Sequence, residues 1–240
     1  MEPTEFRTGT IKPTECANEA WAIIKPNYWL LFATCVVGIW ISGVTLYILL
    51  GAMFCGIFVT LLKAVDGRQP EFPDLFKGFR YFGPGFVVML FFAVPLLAVY
   101  SVIYGPVIYA IYTDPGMSNE KLMALMTGSL IIDLVLVLAV VCFHTLLVFA
   151  FPLVVDRGFG PVRALVTSTK AVWANLNGVV GVIVVQMALS FLGGLLLCFG
   201  IYFVVPVVFA VYAVAYRKVF PDMAAPHLNP PPPNAYSGLQ

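Results

Sequence analysis

The sequence predicts an all-α fold, a polytopic six-helix transmembrane bundle of helical hairpins with short cytoplasmic interfacial helices. Three observations predict it. Of 240 residues, 61% are hydrophobic and only 10% are charged, against about 25% charged in an ordinary soluble domain. Mean hydropathy is +0.95, far above what a water-facing surface tolerates. The apolar residues gather into the runs 28–65, 86–112, 129–155 and 178–216, each long enough to cross a hydrocarbon core about 30 Å thick. The same composition excludes a soluble enzyme and a disordered chain. A formal net charge of +1 leaves no electrostatic footprint for nucleic acid.

Residues 1–27 hold Glu2, Glu5, Glu15 and Glu19 among a few basic side chains. A secretory signal needs a basic start and an early apolar run, so the first span is expected to be an uncleaved anchor. Residues 1–27 read as a cytoplasmic segment with a short interfacial helix over Glu15 to Lys25. The run 28–65 would measure about 60 Å as one helix, twice the bilayer, so it must fold back. Ser42-Gly43 lies near its middle, and glycine suits a tight reversal. The expected spans are about 28–44 and 47–65, with a turn at 41–47. The third and fourth spans are 86–112 and 129–155. Pro95, Pro106, Pro152 and Pro206 are expected to kink or end the helices they fall in.

Residues 163–176 are half polar, and Ala164, Leu165, Ala171, Val172 and Leu176 share one helical face. That pattern predicts an amphipathic helix along the membrane surface, with Trp173 at headgroup depth. The run 178–216 must also reverse, at 193–200, where Gly193, Gly194 and Gly200 cluster. It supplies spans 178–196 and 199–216. Residues 28–218 thus form the transmembrane domain. Residues 219–240, with four consecutive prolines from Pro230, read as a disordered cytoplasmic tail.

Charge supports the count. With six spans, every lysine and arginine except Lys121 lies on one side. The positive-inside rule makes that side cytoplasmic and puts both termini there. Four spans would move the basic 63–80 loop outside. Small residues four apart, Gly38 with Ser42 and Ser190 with Gly194, mark faces where helix backbones can approach.

Sliding the chain against itself by 152 residues lays Trp21 on Trp173 and Ala22 on Ala174, each followed by a hairpin-length run. The stretch Phe72-Pro73-Asp74-Leu75-Phe76-Lys77-Gly78-Phe79 introduces the middle spans in a similar way. The chain reads as three units of a short helix followed by a hairpin, either by internal duplication or by the weak self-similarity common to membrane chains.

The pieces Ala20-Trp21, Ile24-Lys25-Pro26-Asn27, Asp66-Gly67, Asp74-Leu75-Phe76-Lys77-Gly78-Phe79, Val155-Asp156-Arg157-Gly158 and Ser168-Thr169-Lys170-Ala171 carry a resemblance over residues 16–218. The chain resembles bacterial membrane proteins grouped under domain of unknown function 975. It is also similar to the membrane domain attached to some glycerophosphodiester phosphodiesterases. The resemblance implies a multi-pass protein of the bacterial inner membrane and supplies no catalytic residue. The phosphodiesterase domain itself lies outside the similarity, so that activity is not expected to transfer.

Ionisable and polar residues inside the bilayer are the functional candidates. Asp133 and His144 lie on one face of the fourth span, about 16 Å apart along the helix axis, too far for a hydrogen-bonded pair. Gln186 lies near the centre of the fifth span. Asp133, His144 and Gln186 form a candidate intramembrane polar path. Each also has a plainer role: a hydrated interfacial Asp, a core histidine bonded to a neighbouring helix, and an interhelical glutamine. One intramembrane Asp does not make an aspartyl protease pair. His144 and His227 form no HExxH motif, and no GxSxG elbow or phosphate-binding glycine loop occurs. The cysteines form no CxxC pair, so no metal or cofactor is expected. The reading is a non-enzymatic membrane module that interacts with lipids and a membrane or cytoplasmic protein partner. The alternatives are a carrier for a small or lipidic solute that uses Asp133, His144 and Gln186, and a membrane-embedded enzyme.

Overall fold

The computed structural model describes residues 6–114, 116–195 and 199–222. In chain order it contains α1 (Pro13–Ile24), α2 (Tyr28–Val44), α3 (Leu50–Val65), α4 (Phe82–Thr113), α5 (Asn119–Leu146), α6 (Ala150–Arg157), α7 (Pro161–Ala174), α8 (Leu176–Leu195) and α9 (Phe199–Val219), with 3-10 turns over Lys25–Asn27 and Phe72–Tyr81. No strand occurs among the described residues. Five helical stretches are long and apolar enough to cross a membrane; α3, at 16 residues, is the shorter apolar helix.

The core is built around α3. It is about 24 Å long, shorter than a hydrocarbon core about 30 Å thick. It is enclosed by protein, with Met53, Cys55, Ile57 and Leu61 buried against α2, the Phe72–Tyr81 segment, α4, α6 and α9. Small residues make this enclosure close. Cβ atoms placed on Gly56 and Gly78 would run into the Leu75 and Ala52 carbonyls. One on Gly51 would run into the Gly85 carbonyl. Backbones therefore touch directly, as small-residue faces allow in membrane helices.

Two helix ends near α3 use the same cap. At Asp66-Gly67 the Arg68 N–H donates to the Lys63 carbonyl (2.9 Å) and the Gly67 N–H to the Ala64 carbonyl (3.1 Å). Gly67 takes a φ of 73°, the left-handed position that favours glycine. The first reversal differs from expectation. Helix α2 runs on through Ser42-Gly43, and the turn occupies residues 45–49. The Tyr47 N–H donates to the Ser42 carbonyl (2.7 Å) and the Leu46 N–H to the Gly43 carbonyl (3.1 Å). This is the cap seen at Gly67, but Leu46 and Tyr47 occupy φ of 50° and 64°. The hydrogen bonds of the cap, not a glycine, set the turn. Of the second expected turn, 193–200, residues 193–195 are helical in α8 and residues 199 and 200 in α9, and residues 196–198 lie outside the described residues.

The run 129–155 is not one helix. It breaks at residues 147–149 between α5 and α6. Ser168 on α7 fills the break: its Oγ donates to the Leu146 carbonyl (2.8 Å) and accepts from the Phe149 N–H (3.1 Å). A break inside an apolar run is tolerable when a neighbour satisfies the freed backbone groups. Two prolines have a side-chain hydrogen bond to a carbonyl close by. Pro95 and Pro206 lie inside α4 and α9 and lack the N–H that a continuous helix needs. His144 Nε2 donates to the Phe92 carbonyl (2.9 Å) and Tyr28 Oη to the Phe203 carbonyl (2.7 Å). Each of these carbonyls lies three residues before its proline, next to the carbonyl four before it that the missing N–H leaves free.

The two short amphipathic helices exist, but their apolar faces are turned into protein. On α7, Ala164, Leu165, Ala171 and Val172 are buried, packing towards α4, α5 and α6, whereas Trp173, and Leu176 at the start of α8, are exposed. On α1, Cys16, Ala20 and Ile24 are buried against α8 and α9. Residues 6–11 are pinned there too. Asn175 Oδ1 accepts from the Gly9 N–H (2.7 Å), and its Nδ2 donates to the Arg7 carbonyl (3.0 Å). The order of short helix then long apolar helices recurs at α1, at Phe72–Tyr81 and at α7. The tail from 223 to 240 lies outside the described residues.

Candidate functional site

Helical spacing lines up one face on each of three helices. Ile183, Gln186, Met187 and Ser190 recur every three or four residues on α8, as do Val204, Val205, Val208 and Tyr212 on α9, and Val141, His144 and Thr145 on α5. These faces surround a cavity of about 600 Å³. Phe54 and Phe58 of α3, Phe92 of α4, Phe151 of α6 and Phe209 of α9 complete it. All five rings interlock: Phe54 meets Phe151 and Phe209 edge-on at 5.4 Å, Phe58 meets Phe209 edge-on at 5.7 Å, and Phe92 stacks on Phe151 at 5.6 Å. Val141, Met187 and Ile201, which also line the cavity, are exposed. The cavity therefore opens sideways between α5 and the α8–α9 pair.

The lining is overwhelmingly apolar and contains no Asp, Glu, Lys or Arg. Its polar groups are partly committed. A carbonyl only accepts, so the bond to Phe92 assigns the hydrogen to His144 Nε2 and leaves Nδ1 of the neutral ring as an acceptor. Tyr212 Oη donates to Gln186 Oε1 across the α8–α9 contact. The Gln186 amide N–H groups have no partner among the described residues.

Two of the three sequence candidates, His144 and Gln186, therefore share one cavity. Asp133 does not line it. It is half-buried on α5, beside the exposed Ile132, Leu134 and Val135, and has no hydrogen-bond or ion-pair partner among the described residues. Tyr212 was not among the candidates; no spacing within α8 or α9 alone reveals that it meets Gln186. Among the described residues, no three His, Cys, Asp or Glu side chains come together to hold a metal ion. Cys16, Cys35, Cys55 and Cys142 are free thiols.

A second polar assembly closes one end of the helices. Arg217 near the end of α9 grips two carboxylates. Its Nε and Nη2 donate to Asp66 at 2.7 and 2.9 Å, and its Nη1 and Nη2 donate to Asp156 at 2.8 and 2.7 Å. Tyr216 Oη donates to Asp156 at 2.7 Å, and Arg157 Nη2 to the Pro221 carbonyl at 2.6 Å. The ends of α3, α6 and α9 are thereby tied together. Comparison with protein-family models, curated proteins and solved structures returned no match. The reading of these sites rests on their own geometry.

Nearby, outside the apolar runs, Asp74 is fully buried between Lys63 (2.9 Å) and Lys77 (2.5 Å) and accepts the Glu71 N–H (2.9 Å). Burial pushes its carboxyl up, but the hydrogen bonds from Lys77, Lys63 and the Glu71 N–H outweigh it and hold the carboxyl below its ordinary value. The unfolded chain then binds the proton more readily than the folded one. The stabilisation is fully present above the unfolded value of about 4 and is lost as pH falls through the folded value. Thermal unfolding in detergent between pH 7 and pH 3 should show the melting temperature falling at the acid end. Asp74→Asn should melt lower at pH 7, with the gap to the parent chain narrowing on acidification. A gap that stays constant would remove Asp74 from the pH response.

Proposed function

We propose that the chain is a non-enzymatic multi-pass protein of the bacterial cytoplasmic membrane that holds a lipidic solute within the bilayer. In this reading it crosses six times, with α3 as the short protein-enclosed crossing and both termini in the cytoplasm. The resemblance to the domain of unknown function 975 group belongs to the same proposal. One observation carries the functional part: a side-opening apolar cavity between α5 and α8–α9, with His144 and Gln186 among its lining. A volume near 600 Å³ lies within the about 300–1,000 Å³ usual for small-molecule sites. A purely structural bundle has no use for such a space, since interiors otherwise pack without voids. Asp133 takes no part in the binding.

Mass spectrometry of the detergent-purified protein tests the reading. The parent chain should carry a co-purifying lipid, Asp133→Asn should keep it, and Val208→Phe, which fills the cavity, should lose it while remaining folded. Equal lipid on Val208→Phe and the parent would show that the cavity is not the site. Topology has its own test. Cysteines introduced at Thr45 and Ser118 should both react with an impermeant reagent added outside the cell. Labelling of Thr45→Cys only after the membrane is opened would refute the six-crossing arrangement.

A further inference from the structure

We infer that the cavity selects a lipid whose head is uncharged and both accepts and donates a hydrogen bond, as the hydroxy-ester head of an acylglycerol does. The inference rests on the proposed reading that the cavity holds a lipidic solute, and adds which class of lipid. Charge is the first argument. A phosphate or carboxylate head brought among these side chains would meet no lysine or arginine. An ammonium head would meet no carboxylate. An unpaired charge in such surroundings is strongly disfavoured, so charged heads are rejected by the lining itself.

The uncommitted polar atoms are the second argument. Tyr212 occupies Gln186 Oε1, so Gln186 offers N–H donors to a ligand oxygen. The Phe92 carbonyl occupies His144 Nε2, so His144 offers Nδ1 as an acceptor for a ligand hydroxyl. The two groups come from different walls, α8 and α5. A head with one carbonyl and one hydroxyl fits both, and a pure hydrocarbon leaves both unmet. Buried polar groups left unpaired are what make a site reject the analogue that lacks the matching atom.

The test compares three probes on the full-length protein in detergent: monoolein, phosphatidylglycerol and hexadecane, with occupancy read by native mass spectrometry and thermal shift. Monoolein should bind about tenfold more tightly than hexadecane, and phosphatidylglycerol should bind more weakly than monoolein. Gln186→Leu should remove part of monoolein's advantage over hexadecane, the His144 contact remaining, and leave hexadecane unchanged; an undiminished advantage would overturn the role given to Gln186. Should that variant fail to fold, Gln186→Met serves the same purpose. Equal binding of monoolein and hexadecane, or equal or tighter binding of phosphatidylglycerol, would overturn the head-group inference while leaving the cavity as a lipid site. Binding of none of the three would overturn the cavity reading and this inference together.

Discussion

Arg217→Leu should lower the unfolding free energy by about 3–5 kcal/mol, the usual consequence of removing one partner from a buried ion cluster. The side chains of Asp66, Asp156 and Arg217 are only 6, 14 and 11% exposed. Without the guanidinium, two nearly buried carboxylates lie close together with reduced compensation. Arg68 still reaches Asp66 at 2.8 Å, but it is itself 65% exposed and contributes little, and Arg157 Nε, 3.3 Å from Asp156, offsets only one of the two carboxylates. Arg217→Lys should recover only part of the loss, because one ammonium cannot serve two carboxylates in the forked geometry seen here. Adding Asp66→Asn and Asp156→Asn to Arg217→Leu should recover more than Arg217→Lys does, since the charge left unpaired carries the cost. Denaturant titration in detergent reads all of these. A loss below about 1 kcal/mol for Arg217→Leu would mean that the cluster is hydrated like an ordinary surface pair.

Gly56→Ala is the second large effect. Overpacking costs about 1–3 kcal/mol when side chains can shift. Here the added Cβ meets the Leu75 carbonyl and main chain, with no flexible tip to move aside. The loss should fall at or above the top of that range. The damage should spread to the Phe72–Tyr81 segment, whose Gly78 lies against Ala52 and Gly56 of α3. Gly128→Ala is the control. Gly128 lies within α5 and nothing stands within 4 Å of its Cβ position. Helix propensity alone should make that variant more stable by about 0.5–1 kcal/mol. The same substitution is thus expected to have opposite signs at two helical glycines, and melting temperatures in detergent decide it. A similar small effect at both would show that α3 does not touch the Phe72–Tyr81 backbone.

Helices α2, α3, α8 and α9 were legible in the sequence to within a few residues, because apolar run length and bilayer thickness constrain them together. Helix α5 was not. It begins at Asn119, in a polar stretch that hydropathy does not count, and ends at a break whose support, Ser168, comes from another helix. Asp66 and Asp156 stood out in the sequence only within the motifs Asp66-Gly67 and Val155-Asp156-Arg157-Gly158. Their common partner did not, because Arg217 lies 151 and 61 residues away and no periodicity reports such a pairing. The site was half visible for a related reason. His144 and Gln186 stood out as polar residues in apolar helices. The space between them depends on how α5 stands from α8 and α9, and so does the exclusion of Asp133. The apolar face on α7 was read correctly as a face but assigned to the membrane. Hydrophobicity alone does not distinguish lipid from a neighbouring helix as the surface it meets.

The occupied cavity is the central claim, and photocrosslinking tests it most directly. A neutral lipid carrying a photoreactive group in its acyl chain would be incorporated with the protein in nanodiscs, irradiated, and the modified residues mapped by peptide sequencing. Modification should concentrate on the cavity faces of α5, α8 and α9, at residues such as Val141, Met187 and Val208, and should be lost at those positions in Val208→Phe. Modification spread evenly over the outward faces, with Leu97, Ile108 and Leu134 labelled as heavily as Met187 and unaffected by Val208→Phe, would contradict that claim.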